Sequence, residues 1–344
     1  MQIEQNKSLR FLNTFGIEAQ AKFFVEIRSV DDFQELARDA RFSGEKKLVL
    51  GGGSNILLTG DFDGWVVKNS IPGLAVVSET ETEVTLKAGA GENWHDLVTA
   101  CVEKNYGGLE NLPLIPGLVG AAPIQNIGAY GVEQKEVFHE LEAIEICSGA
   151  PAKFNDCGCL FGYRDSIFKH KFQSHFFITS VSYRLTKLSS PNASYRFRTE
   201  YGDLPRTLDE MKVQDLSLKA VSDAICRMRR AKLPDPKELG NAGSFFKNPS
   251  ISQAQCGKLM AQYPQMPHFP QQDGSVKIPA GWLIEQCGWK GKTVGRAGSH
   301  KTQALVLVNY GEATGQEVLE LSEDIRRSVK ERFGIELSCE VNVI

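Results

Sequence analysis

The sequence lacks the charge imbalance that is typical of proteins acting on nucleic acids or membrane surfaces. Its 344 residues include 39 lysines and arginines and 42 aspartates and glutamates, so the formal net charge is -3. This balance provides no general cationic field for nucleic acid or for anionic lipid. We therefore expect the partners of this protein to be small molecules.

Long apolar runs are also missing. No stretch approaches the roughly 18 consecutive apolar residues that a membrane-spanning helix requires. The N-terminal residues MQIEQNKSLRFLNTFG lack the apolar core of a signal peptide. These features predict a cytoplasmic protein without membrane insertion.

Three familiar site patterns are absent. Of the eight cysteines, the only close pair is Cys157 and Cys159, which has no matching second pair and no nearby histidine. We expect reduced, mostly packed thiols and no metal site. Neither G-x-G-x-x-G opening a helix nor G-x-x-x-x-G-K-[ST] occurs, which disfavours a Rossmann dinucleotide site and a P-loop.

The chain is long enough for two or three domains. Its first ~190 residues alternate short strand patterns with single helices and show no clean βαβ repeat, so they predict a mixed α+β unit. Helices are predicted after Ser29, which resembles an N-cap, and from Trp94. Strands are predicted at 47–50, 65–68, 74–78, 84–88, 141–147 and 176–185.

A polar stretch at 187–212 precedes a helix predicted at 217–230, and a domain boundary is expected near 217. The second part predicts helices near 252–262, 279–287 and 315–333, with a strand at 304–309. Gly334 is a natural left-handed cap for the last helix. Apolar residues then alternate with polar ones from Ile335 to Val343, which predicts a terminal strand.

Two glycine-rich segments suggest a phosphate-bearing cofactor. The first, Gly51-Gly52-Gly53-Ser54-Asn55, follows a predicted strand, so its backbone N–H groups could bind a pyrophosphate. Taken alone, however, such a sequence is more often a plain loop. The second, 114–131, contains four glycines and two prolines and almost no charge. It is too irregular for a helix and too apolar for a solvated loop, and it suits a flat cofactor such as an isoalloxazine ring. The alternative interpretation of this segment is a buried, irregular crossover connection that binds no cofactor.

Residues 240–249, G-N-A-G-S-F-F-K-N-P, present one hydroxyl, Ser244, after a run of small residues. A polar turn is the ordinary interpretation of an isolated Gly-Ser pair. Phe245 and Phe246 weaken the interpretation as a plain solvent loop, because adjacent aromatics there would expose large apolar area. We expect Ser244 to be an exposed hydroxyl on a glycine turn that serves a site.

Several long motifs in this order make the chain resemble the UDP-N-acetylenolpyruvoylglucosamine reductase family, flavoproteins of bacterial peptidoglycan synthesis. They are N-T-F-G at 13–16, G-G-G-S-N at 51–55, G-A-G-E-N-W at 89–94, P-I-Q-N-I-G-A-Y-G at 123–131, F-G-Y-R-D-S at 161–166, L-P-D-P-K at 233–237 and G-N-A-G-S-F-F-K-N-P at 240–249. The resemblance covers nearly the full length. The E-Y-G-D-L loop at 200–204 is typical of the longer class of the family.

The resemblance implies an α+β fold with an FAD-binding domain of the vanillyl-alcohol-oxidase type at 1–217, in two lobes of roughly 1–75 and 76–217. A substrate-binding domain would span 218–344, with the strand at 335–344 returning to the flavin site. Non-covalent FAD would lie against Gly51, Gly52, Gly53, Ser54, Asn55, Pro116, Gly117, Gly120, Ile124, Gln125, Asn126, Gly128, Ala129 and Tyr130. A monomer is expected.

The reaction implied by the resemblance is the NADPH-dependent reduction of UDP-N-acetylglucosamine enolpyruvate to UDP-N-acetylmuramate. Hydride passes from flavin N5 to the enolpyruvyl C3, and C2 is then protonated. By its match to the family, Ser244 would donate this proton, Arg164 would hold the substrate carboxylate, and Glu340 would polarise the acid or orient the enol. From alternation alone, Glu340 is as well placed to face water, and Arg164 could pair with Asp165.

The resemblance also implies substrate contacts. Tyr201 would act as a lid over the diphosphate, and the remaining contacts would come from Tyr163, Lys232, Asn248, Lys277 and Gln303. The chain departs from relatives at two places. Relatives often carry a serine where this chain has Ala121 and Ala122, and some relatives have a tyrosine where it has Phe269.

Three other functions remain open from the residues. Another FAD-dependent oxidoreductase would keep the fold and change the chemistry. A hydrolase with Ser244 as nucleophile would need a distant histidine, because A-G-S-F lacks the G-x-S-x-G elbow. A non-catalytic sugar-nucleotide-binding module would not need FAD.

Overall fold

The computed structural model describes residues 1–344, which form two compact units. Unit 1 contains Met1–Lys7, Ala21–Gly52 and Asp63–Ala231, and unit 2 contains Ser8–Gln20, Gly53–Phe62 and Lys232–Ile344. Unit 1 extends beyond the boundary expected near 217, and two short N-terminal stretches belong to unit 2. The assignment of residues 1–217 to FAD binding and of residues 218–344 to substrate binding stays a prediction.

The helices lie where the apolar periodicity predicts them, with two additions. They are α1 (Val30–Ala37), α2 (Trp94–Glu103), α3 (Asp156–Cys159), α4 (Leu204–Glu210), α5 (Leu218–Lys232), α6 (Gln253–Gln262), α7 (Ala280–Gln286) and α8 (Gly315–Phe333). The additions, α3 and α4, have four and seven residues, too few for a periodic signal. Ser29 caps α1 as expected, and Gly334 ends α8 at φ 64°.

The strands are mostly short. They are β1 (Ile3–Ser8), β2 (Gln20–Ile27), β3 (Lys46–Leu50), β4 (Ile56–Leu57), β5 (Phe62–Asn69), β6 (Leu74–Glu79), β7 (Glu83–Gly89), β8 (Tyr106–Gly107), β9 (Gly128–Ala129), β10 (Val132–Glu133), β11 (Phe138–Glu145), β12 (Pro151–Asn155), β13 (Phe176–Lys187), β14 (Gly240–Ser244), β15 (Ser250–Ile251), β16 (Phe269–Pro270), β17 (Val276–Lys277), β18 (Thr293–Val294), β19 (Ala297–Ser299), β20 (Val306–Asn309) and β21 (Asn342–Val343).

Two sheets build most of unit 1. One has the order β1-β2-β5-β3, with β3 and β5 parallel, and the other has the order β12-β11-β13-β7-β6 with antiparallel pairs. The 12-residue strand β13 lies at the centre of the second sheet and is almost entirely buried. Helix α2 packs its apolar stripe into the same core, where Trp94 meets Tyr183 edge to face.

Helices α4 and α5 form a third core region of unit 1. Leu204 and Leu208 pack with Val221 and Ile225. The sequence predicts a polar connection at 187–212, and its last part is instead helical. A seven-residue helix with a proline in its first turn offers two apolar anchors, so its pattern is too short to detect.

Unit 2 contains a four-stranded sheet, β14-β20-β19-β18, against which α8 packs. The terminal strand predicted over 335–343 is only partly formed, because ladder pairing is limited to β21 with β4. The expected burial pattern holds at Ile335, Leu337 and Val341. The alternation therefore reports the buried face only in part, since Cys339 is half-buried and Val343 is exposed, and continuous strand hydrogen bonding does not follow from it.

No helix of the protein combines the length and the apolar character that crossing a membrane requires.

The aromatic core of unit 1 yields a stability prediction. Phe33 is fully buried and stacks on Phe177 with ring centroids 4.5 Å apart. Truncation to alanine removes this contact and leaves a cavity, so Phe33→Ala should lower the free energy of unfolding by about 3–5 kcal/mol. Phe11→Ala, at a side chain that is 94% exposed, should change it by less than about 0.5 kcal/mol. Equal urea midpoints for the two variants would contradict this packing.

Candidate active site

The segment 114–131 follows an irregular path with an unusual number of left-handed residues. Positive φ angles occur at Leu114 (55°), Gly117 (129°), Asn126 (44°), Tyr130 (49°) and Gly131 (79°). Leucine and tyrosine rarely adopt this region, and such conformations persist only where surrounding contacts enforce them. They also cluster at ligand sites. The backbone of this segment is therefore held by its neighbours.

The first half of the segment lies against the residues that lead into α2. Trp94 N–H donates to Gly117 O at 3.1 Å, and Trp94 Nε1 donates to Leu112 O at 2.8 Å. Val119 N–H donates to Glu92 O at 2.9 Å. The G-E-N-W motif and the glycine-rich segment are thus joined in the structure, because each supplies hydrogen-bond partners for backbone groups of the other.

The second half is held by Asn126, whose side chain is completely buried. Its Nδ2 donates to Glu133 Oε2 at 3.0 Å and to Gly162 O at 2.9 Å, and its Oδ1 accepts from Lys135 N–H at 3.2 Å. This side chain is committed to the protein interior. The predicted FAD contact at Asn126 would therefore have to come from its backbone.

Arg164 lies at the tip of a tight turn in which Gly162 and Asp165 exchange backbone hydrogen bonds of 3.0 and 3.3 Å. Its guanidinium donates to Gly128 O and lies 5.4 Å from the centre of the Tyr163 ring. The Asp165 carboxylate contacts His170 Nε2 at 2.8 Å. The turn therefore places Arg164 directly against the irregular segment.

The two glycine-rich segments meet within unit 1. A Cβ added to Gly52 would lie 3.1 Å from Gly117 Cα, and a Cβ at Gly51 would lie 3.6 Å from Ala121 Cβ. Only glycine at 52 permits this approach without displacing the neighbouring backbone. The resulting surface of bare backbone fits the pyrophosphate and ring edge of a flavin nucleotide.

Tyr201, the predicted lid residue, is 58% exposed. Its ring meets that of Tyr130 edge to face, with centroids 6.2 Å apart. Gly131 lies beside it, since a Cβ there would be 3.4 Å from the Tyr201 side chain. The loop that carries Tyr201 thus lies next to the end of the irregular segment.

Ser244 lies at the end of strand β14, paired with Val306, and not in the turn that the sequence suggested. A register shift between Asn241 and Ser244 marks a bulge, which Asn241 stabilises by accepting Gly243 N–H at 2.9 Å. Phe245 and Phe246 are buried and anchor the strand in the core of unit 2. Ser244 itself is half-buried. Its hydroxyl is therefore carried by a rigid, anchored strand.

Glu340 is a neighbour of this strand. Its N–H donates to Phe245 O at 2.8 Å, and its C=O accepts from Asn55 Nδ2 at 3.3 Å. Thr14 connects the other side, donating its N–H to Gly53 O at 3.1 Å and its hydroxyl to Asn241 O at 2.6 Å. Unit 2 thus brings the G-S-N loop and the predicted catalytic residues Ser244 and Glu340 together.

The other predicted substrate residues of unit 2 occupy nearby elements. Asn248 Oδ1 accepts Ala280 N–H at 2.9 Å, at the start of α7. Lys277 pairs with Ser250 in a strand ladder, and Lys232 O accepts from Thr302 Oγ1 at 2.9 Å. Gln303 Oε1 would lie 3.1 Å from a Cβ at Gly281, also in α7. Their contacts with a sugar nucleotide stay predictions.

Two family models match the chain. One, described as an FAD binding domain, matches residues 21–153. The other, described as the C-terminal domain of UDP-N-acetylenolpyruvoylglucosamine reductase, matches residues 235–344.

Curated relatives match over the full length. UDP-N-acetylenolpyruvoylglucosamine reductase of Flavobacterium johnsoniae is 47% identical over 344 residues, covering 100% of both chains. The chain belongs to the UDP-N-acetylenolpyruvoylglucosamine reductase family. The reductase of Amoebophilus asiaticus is 48% identical with the same coverage. That of Burkholderia pseudomallei is 50% identical over 335 residues, 97% of this chain and 94% of the relative. The resemblance inferred from the motifs is confirmed.

Solved structures agree on the fold. The reductase from Thermus caldophilus superimposes with a TM-score of 0.66 at 23% identity, covering 100% of this chain and 99% of that one. A solvent-stable cholesterol oxidase gives a TM-score of 0.50 at 11% identity, covering 98% and 86%. Both likenesses concern the fold alone, and together with the two family models they confirm the predicted α+β fold with an FAD-binding domain of this type.

His95 and Arg229 are among the residues that contact the irregular segment although the sequence patterns assign them no site role. His95 accepts Leu114 N–H, and Arg229 donates to Leu114 O. Arg229 could have been found, because it continues the apolar stripe of Val221 and Ile225 at four-residue spacing, where a charged residue is unusual. His95 carries no comparable signal.

The close approach at Gly52 generates a prediction about cofactor affinity. Gly52→Ala should weaken FAD binding about tenfold or more, because the added methyl displaces the backbone at Gly117. Gly60→Ala is the matched control, since a Cβ there meets nothing within 4 Å. Flavin fluorescence on titration of apoprotein measures both. Equal affinities in the two variants would show that this approach does not shape the FAD site.

Proposed function

We propose that this chain catalyses the NADPH-dependent reduction of UDP-N-acetylglucosamine enolpyruvate to UDP-N-acetylmuramate in peptidoglycan precursor synthesis. The observation that carries the proposal is the 47% identity to a reductase of this name along the entire length of both chains. The proposal includes action as a monomer in the cytoplasm, which the family resemblance favours.

FAD is the cofactor of this proposal, and the residues present fit it. Bare backbone at Gly51, Gly52 and Gly117 leaves room for a pyrophosphate, and the apolar segment 114–131 offers N–H and C=O groups to a ring edge. When bound, FAD supplies hydride transfer, from NADPH to the enolpyruvyl double bond. The protein must then supply binding, orientation and a proton.

Arg164 is proposed to bind the enolpyruvyl carboxylate. Its guanidinium, which donates to Gly128 O, is a planar array of N–H donors on a tight turn, and such an array suits bidentate recognition of a carboxylate. Negative charge that develops on the enolate would be stabilised by the same guanidinium. The ring of Tyr163 lies beside this guanidinium, within the range of a cation–π contact.

Ser244 is proposed to donate the proton to C2. Its O–H bond breaks as the new C2–H bond forms, and the carbanionic C2 is a base strong enough for a hydroxyl to serve as acid. The alkoxide left behind needs stabilisation, for which Lys232, Lys247 and water are the available candidates. Glu340 is proposed to orient the enolate, and its backbone bond to Phe245 O keeps it beside the Ser244 strand.

Cationic and amide side chains are proposed to bind the uridine diphosphate, namely Lys232, Asn248 and Lys277, with Gln303 near the sugar. Lysines act as point charges for a diphosphate. Tyr201 is proposed to close over it, which its exposure and its contact with Tyr130 permit.

The proposed role of Ser244 can be tested by measuring the two half-reactions separately. Ser244→Ala should leave reduction of the bound flavin by NADPH near its normal rate, because that step needs no proton at C2. Reoxidation by the enolpyruvyl sugar nucleotide should slow by at least about 100-fold, the contribution typical of general acid catalysis. Stopped-flow absorbance of the flavin measures both steps.

Ser250→Ala is the control, since Ser250 is an exposed serine a few residues further along. It should leave both half-reactions unchanged. Normal reoxidation in Ser244→Ala would remove the assigned proton donor. Purified wild-type protein that is colourless and cannot be reconstituted with FAD would overturn the proposed function as a whole.

A further inference from the structure

Leu114, the first residue of the segment 114–131, is held on both sides of its backbone by side chains. Its N–H donates to His95 Nδ1 at 3.2 Å, and its C=O accepts from Arg229 Nη2 at 3.1 Å. The two partners come from different helices, α2 and α5. At φ 55°, Leu114 has a conformation that disfavours leucine, so it needs such partners to persist.

His95 must be neutral to play this part. An Nδ1 that accepts a backbone N–H carries no proton, so the ring proton lies on Nε2. Burial lowers the pKa of His95 below its usual value, and Arg230 and Arg229 of α5 lower it further, while Asp96 on its own helix opposes them. The surroundings therefore favour the tautomer that the geometry requires.

Arg229 contacts both ends of the segment. Besides Leu114 O, its guanidinium is hydrogen-bonded to the side chain of Tyr130, the residue at φ 49° near the other end. Its Nε is buried and has no hydrogen-bond partner. Arg229 is half-buried on the apolar stripe of α5, where a charged side chain is costly unless it is paired. Its two contacts join the ends of the segment 114–131.

We propose that His95 and Arg229 are positioning residues that hold Leu114 in its left-handed conformation and tie it to Tyr130, fixing the loop on which FAD binds. The part that concerns FAD rests on the proposed function. Neither residue needs to touch the cofactor. Each would act through the backbone that the cofactor contacts.

The first test is the rate of FAD release from the full-length holoenzyme. His95→Phe keeps the ring shape and removes the acceptor, so release should be about fivefold faster, which corresponds to one net hydrogen bond. His95→Asn places an amide oxygen near the position of Nδ1 and should stay within about twofold of wild type. Arg229→Met should accelerate release by more than His95→Phe, because it removes two contacts. Arg230→Met, at the exposed next residue, is the control.

A rescue separates backbone positioning from general packing. Asparagine tolerates the left-handed region, so Leu114→Asn added to His95→Phe should return FAD release to within about twofold of wild type. A packing defect at position 95 would not be repaired by a change at 114. Failure of the rescue would therefore overturn the positioning role of His95.

The pH dependence gives an independent readout. The folded-state pKa of His95 is lowered, so the neutral form that binds Leu114 N–H is present above the ordinary histidine value of about 6.5. The contact is lost as pH falls through the lower folded value. FAD release should accelerate over that range in wild type and stay flat in His95→Asn. The same profile in both proteins would exclude His95 as its source.

The outcomes distinguish this inference from the proposed function. Release rates in His95→Phe and Arg229→Met equal to that of Arg230→Met would overturn the positioning role while leaving the FAD assignment intact. A wild-type protein that does not bind FAD would overturn the proposed function. The positioning role would then be tested by measuring the urea unfolding midpoint of the same variants and of the same rescue variant. A midpoint in His95→Phe equal to that of wild type would overturn the role.

Discussion

Backbone hydrogen bonding in the segment 114–131 is the constraint on which the rest of unit 1 depends. A buried N–H or C=O without a partner is costly, and an irregular segment cannot satisfy its own groups as a helix or strand does. Some of its groups bond within the segment, as Ile127 N–H does to Ala122 O, and others are satisfied from outside, by Trp94, His95, Arg229 and Arg164. The sheets and helices of unit 1 act as the frame that carries these partners. A backbone held in this way is preorganised, so a flavin could bind without ordering a loop.

In the proposed reaction, unit 2 would present a weak acid, the Ser244 hydroxyl, in a fixed place. The bulge in β14 changes the direction of the strand just before Ser244. Phe245 and Phe246, which follow directly, anchor the strand in the core. The terminal residues run beside the strand, so Glu340 joins it through a backbone bond. Proton transfer in a flavin reductase depends on such placement more than on an unusual pKa, because the carbanion is itself the strong base. The short connections from Thr14 and Asn55 hold the G-S-N loop in the same framework.

Much of this architecture could be predicted from the sequence. Helices such as α2, α5 and α8 and strands such as β13 carry long, regular patterns, and the family motifs were decisive for the fold and the reaction class. Ser244 was misplaced in a turn, because bulges depend on pairing with a distant strand that glycine content does not reveal. Helix α4 was too short to show a period, and the last residues alternate but form a ladder only at β21. Arg229 stands out in the sequence as a charged residue on an apolar stripe, but the proposed roles of Arg229 and His95 could not be predicted, since they follow from α2 and α5 meeting one residue from opposite sides.

The held backbone of 114–131 is proposed to be the surface that binds the flavin. The decisive measurement is a crystal structure of the FAD-bound holoenzyme. We expect backbone hydrogen bonds from this segment to the polar edge of the isoalloxazine ring, with Leu114 still at positive φ and bonded to His95 and Arg229. An isoalloxazine ring bound elsewhere, with 114–131 in contact only with protein, would contradict it.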